Sequence, residues 1–288
     1  MFFKWWEVLL VDDEPDVLSV SKLAMKDFEV YDLPVKIRTA GSKAEAIEIL
    51  VNAPEIPILS VALVDVVMET DTAGLELCEY IREDKWNKIT QLYIRTGQPG
   101  IAPEREVIDH YDISGYFTKV EASEGKLCTM VKTGVRQFLW SWYSLALNNI
   151  LRNIIVANSR EKLMENIQQV HSGMFSRVSS GKIIPLDLFH LYFAIWINGK
   201  IITIAGWDWK TAMELRDHLN QLEGTALSPH RDKYVKDGNN LLIKIGSQPS
   251  KAEIYALFNM PCTPPDIIIN TVFYNAYTSM SIMWERLK

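Results

Sequence analysis

The stretch VALVDVVMETDTAGLELCEYIR, residues 61–82, decides the fold. With the residues just before it, Ile58–Asp65 reads ILSVALVD, a near-continuous apolar run that stops on an aspartate. A strand without polar alternation belongs in a parallel sheet covered on both faces. Gly74–Glu83, immediately after, is patterned as a helix. The same alternation extends in both directions. Upstream, Glu7–Val11 reads as a buried strand. Glu14–Phe28 reads as a helix, with Pro15 tolerated in its first turn, and Val35–Ala40 as a second strand. Ser42-Lys43-Ala44-Glu45 is a capping-box pattern that starts a helix running to about Val51. Downstream, Gln91–Thr96 is a fourth strand. A helix with Pro103 in its first turn ends near His110, Ser114–Lys119 is a fifth strand, and a further helix begins near Ser123. Five β/α units in succession predict an α/β domain over residues 1–125, built on a five-stranded doubly wound parallel sheet.

Beyond that the alternation stops. Residues 126–178 read as a helical connector. Cys128, Val131, Val135, Phe138, Trp142, Leu145 and Asn149 recur at spacings of three and four until Arg152 breaks the seam. The stripe fits either the packing face of the preceding domain's last helix or a contact between two chains. Residues 179–288 read as a second, α+β domain. Phe189–Ile197 and Lys200–Ala205 flank Asn198-Gly199, a type I′ hairpin signal. A helix carries Ala212, Leu215, Leu219 and Leu222 on one face. Leu241–Gly246 and Ala252–Phe258 form a hairpin around Gln248-Pro249-Ser250, and a last helix starts near Pro265.

Composition narrows the function classes. A chain of 288 residues has room for two cores. The net charge is −6 and no Lys/Arg run is present, so nucleic acid is not an expected partner. No apolar run approaches the ~18 residues a membrane span needs. The longest, Leu191–Ile197 with its flanks, ends at Asn198-Gly199. Cys78, Cys128 and Cys262 are far apart and odd in number, which fits a reducing compartment. Met1–Val11 is interrupted by Lys4 and Glu7 and does not read as a signal peptide. A cytoplasmic location is expected.

In open α/β sheets, ligands bind at the carboxyl ends of the strands. Here strand one ends in Asp12-Asp13, strand three in Asp65, strand four in Thr96-Gly97 and strand five in Lys119. Clustered carboxylates repel one another, and a hard divalent cation such as Mg2+ relieves that repulsion. One carboxylate can then act as a nucleophile toward a phosphoryl group. The Thr96 hydroxyl and the Lys119 ammonium can hold the phosphoryl oxygens. Each residue alone has an ordinary reading as a cap, turn or surface group. Four strand ends carrying the required residues in order do not.

VLLVDDEPD (8–16), the 61–82 stretch, YIRTG (93–97) and GYFTK (115–119) resemble the receiver domains of bacterial response regulators. The resemblance implies a flavodoxin-like fold. It also implies a Mg2+ site formed by Asp12, Asp13, Asp65 and the backbone carbonyl of Val67, with Asp65 phosphorylated by a sensor histidine kinase or phosphotransfer protein. Thr96 would follow the phosphoryl group, Tyr116 would be the aromatic that swings inward, and Met68 fits the usual Met. Three departures concern loop shape: Glu69 where receivers usually have Pro, a loop to Gly74 longer by one residue, and Val120 where Pro usually follows the Lys. The runs RTGQPGIAPEREVI and YDISGYF, and more loosely residues 241–280, resemble receivers that precede a GAF-like domain of unassigned function, often with an HD-GYP phosphodiesterase.

The five histidines (His110, His171, His190, His218 and His230) are scattered, and none is followed by Asp. No cyclase signature, Gly-rich ATP loop or basic recognition helix is present. The expectation is a non-enzymatic response regulator that acts through conformational change, a homodimer and contact with an unidentified downstream protein. Alternatives are the regulatory part of a larger enzyme, such as a cyclic-di-GMP phosphodiesterase or a histidine kinase, and a GAF-type small-molecule sensor. For that sensor, Phe189, Tyr192, Phe193, Trp196, Trp207 and Trp209 would line the pocket, if they are not simply core.

Overall fold

A computed structural model describes residues 2–52, 59–97, 104–120, 124–173, 176–179, 182–185, 189–190, 192–222, 234–245, 253–259 and 266–287. Pro103, Ser123, His230, the Gln248-Pro249-Ser250 turn, Cys262 and Pro265 lie outside them. The chain forms two compact units: Trp5–Trp142, and Met1–Lys4 with Tyr143–Lys288.

The first unit is an α/β layer structure. Its parallel strands are β1 (Trp6–Val11), β2 (Leu33–Ala40), β3 (Leu59–Val64), β4 (Gln91–Thr96) and β5 (Gly115–Thr118), in spatial order β2-β1-β3-β4-β5. The order reverses beside β1, and the crevice at such a switch point is where ligands bind. Interleaved are α1 (Pro15–Ala24), α2 (Lys43–Val51), α3 (Ala73–Glu79), α4 (Glu104–Tyr111) and the start of α5 (Glu124–Ile155). β1, β3 and β4 are buried at every position, the polar Glu7, Ser60, Gln91, Arg95 and Thr96 included, because the sheet is covered on both faces. Leu9, Val11, Ala62, Val64, Leu92 and Ile94 pack with α2, α3 and α4 residues such as Ala46, Leu77, Cys78 and Val107 in one core layer. At ~1.5–3 kcal/mol per buried aliphatic side chain, that layer is a main source of the unit's stability.

The sheet has six strands, not five. Glu29–Val30 pairs antiparallel with Pro34 and Leu33 of β2. The helix expected to reach Phe28 therefore ends at Ala24, and the chain turns through Asp27, Tyr31 and Asp32 at positive φ. The edge strand is anchored by a buried group: the indole N–H of Trp6, fully buried, donates to the Val30 carbonyl at 2.7 Å. An indole buried without a partner would carry a desolvation penalty, so the hairpin satisfies it. The Ser42 cap on α2 forms as expected, and the Glu45 return bond reaches the residue before the cap. Ser42 Oγ accepts from the Glu45 amide at 3.1 Å, while the Glu45 carboxylate reaches back to the Gly41 amide at 2.6 Å. After α3 the helix continues as a π turn, Tyr80–Asp84.

On α5, Val131, Val135 and Phe138 are fully buried and Trp142 nearly so, whereas Leu145 and Asn149 are exposed. A Cβ on Gly134 would meet Val61 and Tyr93 side chains at 2.8 and 2.9 Å, so this helix lies tightly on β3 and β4. Most of the seam is thus occupied within the chain.

In the second unit, the five-stranded antiparallel sheet comprises β6 (Tyr192–Ile197), β7 (Lys200–Ala205), β8 (Tyr234–Asp237), β9 (Asn240–Ile245) and β10 (Ile254–Asn259), ordered β7-β6-β10-β9-β8. Asn198 and Gly199 have φ of 49° and 76°, as the type I′ turn demands. One sheet face (Ala194, Trp196, Val235, Leu242, Leu257) packs on Ala212 and Leu219 of α7 (Trp209–Gln221). On the other, Phe258 meets Phe273 at 5.4 Å, and Phe273 meets Tyr143 of α5 at 5.5 Å. Helix α6 (Arg160–Gly173) follows a break after α5, and α8 (Asn275–Arg286) ends the unit. The expected helical connector stops at Gly173, because Ser176–Ser179 is a strand paired with Lys182–Pro185. Phe189–His190 does not extend β6; it pairs with Phe2–Phe3. Among the described members of the aromatic set, Trp196 is fully buried and Phe193 nearly so, Tyr192 and Trp207 meet at 5.5 Å, and Trp209 is 64% exposed.

Candidate functional site

Three elements of the first unit converge at the carboxyl edge of the sheet. Asp12 follows β1 and is fully buried, its amide donating to the Ala40 carbonyl at 3.1 Å. Asp65 follows β3, 3% exposed, its amide donating to the Val11 carbonyl at 2.9 Å. Lys119 follows β5, and its amide donates to the Thr96 carbonyl at 2.8 Å. Each residue continues the parallel ladder by one step, so the strand register itself sets the side chains.

The Lys119 ammonium is the hub. It lies 2.7 Å from Asp65 Oδ2, 3.1 Å from Asp12 Oδ1 and 2.6 Å from Glu14 Oε1. Burial alone would lower its pKa, but the hydrogen bonds to Asp65, Glu14 and Asp12 outweigh burial and hold it well above the usual lysine range. The exposed Glu14 carboxyl is held below the usual range by its hydrogen bond from Lys119. Asp65 goes the other way: burial pushes its carboxyl up, and Lys119, divided among three carboxylates, only partly offsets this. Among the described residues, none donates a hydrogen bond of ordinary geometry to the buried Asp65 Oδ1. An unpaired anionic oxygen in a dry site is costly unless something binds it.

Asp12, Glu14 and Asp65 each bring a carboxylate oxygen within 4.8 Å of the others. A hard, oxygen-seeking cation fits that donor set and the open Oδ1 of Asp65. Asp13, expected in the metal site, is exposed and outside this grouping, whereas Glu14, which was not expected, is inside it. The signal for Glu14 was its place two residues after Asp12, at the entrance to α1. Thr96 is fully buried at the end of β4. Tyr116 on β5 is 9% exposed and packs with the α2–α4 core layer, so its ring is inside the fold. Val67 is half-buried against the same layer.

Two residues support the site without having been singled out. Gly74 opens α3 against the Asp65 backbone: its amide donates to the Val66 carbonyl at 3.0 Å, and a Cβ there would lie 1.8 Å from the Asp65 carbonyl oxygen. Arg95, 3% exposed on β4, donates to Asp12 Oδ2 at 3.0 Å and to Ser21 Oγ at 2.6 Å. Glu69, where a proline was noted as missing, accepts from the Lys43 amide at 2.9 Å and ties the loop after β3 to the start of α2.

No family model matches the chain. It is 40% identical over 133 residues to the 3'3'-cGAMP-specific phosphodiesterase 2 of Vibrio cholerae serotype O1 (strain ATCC 39315 / El Tor Inaba N16961). That match covers 46% of this chain and 25% of the relative, so the chain spans about a quarter of the relative's length. Among solved structures, it is similar to the signal receiver domain of an HD domain-containing protein from Pseudomonas fluorescens Pf-5. Identity there is 16% and the TM-score 0.40, covering 49% of this chain and 95% of that one. A signal receiver domain of a two-component histidine kinase from Clostridium thermocellum gives 18% identity and a TM-score of 0.37, covering 45% and 96%.

Proposed function

We propose that the chain is a two-component response regulator whose Asp65 accepts a phosphoryl group from a sensor histidine kinase or phosphotransfer protein. The observation that carries this reading is the convergence of Asp65, Asp12 and Lys119 at the strand ends, with Asp65 Oδ1 buried and unpartnered among the described residues. An Asp65 oxygen forms the new bond to phosphorus as the donor's P–N bond breaks, and the donor imidazole leaves with its electron pair. Asp65, Asp12 and the Val67 carbonyl are the proposed Mg2+ ligands, together with Asp13, which would have to turn in from its exposed position. When bound, Mg2+ supplies positive charge that offsets repulsion between carboxylates and phosphoryl oxygens. Lys119 binds one phosphoryl oxygen and gives up part of its hold on Glu14 and Asp12. Thr96 orients another oxygen through its hydroxyl. The added charge draws Thr96 toward the phosphoryl group, Tyr116 follows into the vacated space, and the α4–β5–α5 face is biased between two packings, which is the output.

Residues 1–125 are proposed as the receiver and 179–288 as a GAF-like domain, with a connector between them whose helical part ends at Gly173 rather than at 178. Support for the GAF-like domain is the antiparallel sheet with helices packed on both faces. Output through a homodimer and a downstream protein completes the reading. No helix among the described residues is long and apolar enough to cross a membrane, which is compatible with a cytoplasmic location. The phosphodiesterase relative is consistent with a second reading, in which this chain is the regulatory part of a larger enzyme such as a cyclic-di-GMP phosphodiesterase.

The test is incubation of the purified chain with Mg2+ and acetyl phosphate or phosphoramidate, followed by intact mass and oligomeric state. A phosphoryl-sized mass gain that is absent in Asp65→Ala is expected. A gain that persists in the variant would remove Asp65 from the role.

A further inference from the structure

We propose that Arg95 is a resident counter-cation of this site, which weakens divalent-cation binding and raises the Mg2+ concentration that Asp65 chemistry needs. The inference rests on the metal-dependent phosphoacceptor reading above and adds a regulator to it.

The observation begins in the strand pattern. On β4, Leu92 and Ile94 enter the α2–α4 core layer, so Arg95 points to the opposite face of the sheet. That face is also covered, and a strand buried on both sides ordinarily carries an apolar residue there. Arg95 is instead a guanidinium at 3% exposure, seated by Ser21 Oγ at 2.6 Å and by Asp12 Oδ2 at 3.0 Å. Ser21 is itself fixed by donating to the Val17 carbonyl at 2.6 Å.

The ion pair takes one oxygen of Asp12. The other already accepts from the Glu14 amide at 3.0 Å and from Lys119 at 3.1 Å. Among the buried charges, Asp12 and Asp65 are therefore matched by Arg95 and Lys119 before any metal arrives. The two cations are not equivalent. Lys119 sits on a flexible stem at a strand end and can swing to a phosphoryl oxygen. Arg95 is a planar fork anchored inside a strand, so its repulsion toward a cation on Asp12 persists in the bound state.

The experiment titrates Mg2+ into the full chain by calorimetry, comparing wild type with Arg95→Gln, which removes the charge but keeps a donor, and Arg95→Lys, which keeps the charge. Binding about tenfold tighter or more in Arg95→Gln is expected, with Arg95→Lys close to wild type. Unchanged or weaker binding in Arg95→Gln would overturn the inference, leaving Arg95 as a group that only orients Asp12. Arg95→Met is the second neutral variant. If neither neutral variant folds even in saturating Mg2+, the inference also fails, because a bound cation should then balance Asp12 in Arg95's place. Absence of Mg2+ binding in wild type and all variants would bring down the phosphoacceptor reading itself. Equal binding by wild type and Arg95→Gln removes the counter-cation alone.

Discussion

Replacing Gly74 with alanine should damage both the fold and the phosphoacceptor, and the size of the effect follows from one distance. The added Cβ would lie 1.8 Å from the Asp65 carbonyl oxygen, 2.7 Å from the Asp65 carbonyl carbon and 3.0 Å from Val66 Cα. A carbon and a carbonyl oxygen meet comfortably at about 3.3 Å. The start of α3 and the Asp65–Val66 backbone must therefore separate by about 1.5 Å. Neither side yields easily. Ala73, Gly74, Leu75, Leu77 and Cys78 are all buried, and the Asp65 amide is bonded to β1. Overpacking of this kind costs about 1–3 kcal/mol. The displacement falls on the residue that carries the nucleophile, and a 1 Å misplacement at a reacting centre costs about a hundredfold in rate. Urea unfolding should show a lower midpoint with an unchanged slope. The rate of mass gain from acetyl phosphate should fall by about ten- to a hundredfold even where the variant is fully folded. Wild-type stability together with a wild-type phosphorylation rate would refute the close-approach argument.

Asp65→Asn should raise the melting temperature at neutral pH. Burial holds the Asp65 carboxyl above its unfolded value, so ionised Asp65 opposes folding above its folded-state pKa; the gain should vanish as the pH falls below the unfolded carboxyl range, where wild type is protonated in both states. A gain that stayed constant through acid pH would contradict the assignment. Mg2+ at about 100 times its dissociation constant should add about 2.7 kcal/mol to wild-type stability, lost on adding EDTA and read by the thermal midpoint. Arg82→Ala should cost about 3 kcal/mol in urea, because its buried guanidinium donates to the Asp112, Asn87 and Thr90 carbonyls and would leave them unmet. Asp208→Ala should cost about 1 kcal/mol in the second unit, since Asp208 Oδ1 caps α7 by accepting from the Lys210 and Thr211 amides at 3.0 Å; amide exchange confined to α7 would report it.

Much of the architecture was legible in short windows of sequence, because the signals are local. An apolar run bounded by turn residues, a capping box or an Asn-Gly pair acts over fewer than about ten residues. The strand-end residues could be ordered on the same basis, since a parallel sheet brings all its carboxyl ends to one edge. The Glu29–Val30 edge strand was missed because two residues carry no period, and what holds them is the Trp6 indole, 24 positions away. β8 was missed although Gly238-Asn239, the two residues between the paired Asp237 and Asn240, carries a turn signal, with Gly238 at φ 54°. On α5 the seam was ambiguous for a physical reason: a stripe at helical spacing looks the same whether its partner is the chain's own sheet or a second chain. The burial of Val131, Val135 and Phe138 was a matter of tertiary packing.

The sequence by itself determined which chemical groups stand at the ends of the strands, because strand pattern and residue type are local properties. Only the tertiary structure decided how those groups are paired. Arg95 and Asp12 are 83 positions apart and Lys119 and Asp12 are 107 apart. Whether a buried arginine faces a carboxylate, and whether Glu14 or Asp13 turns toward the site, depends on side-chain packing between α1 and the sheet. No window along the chain contains that geometry.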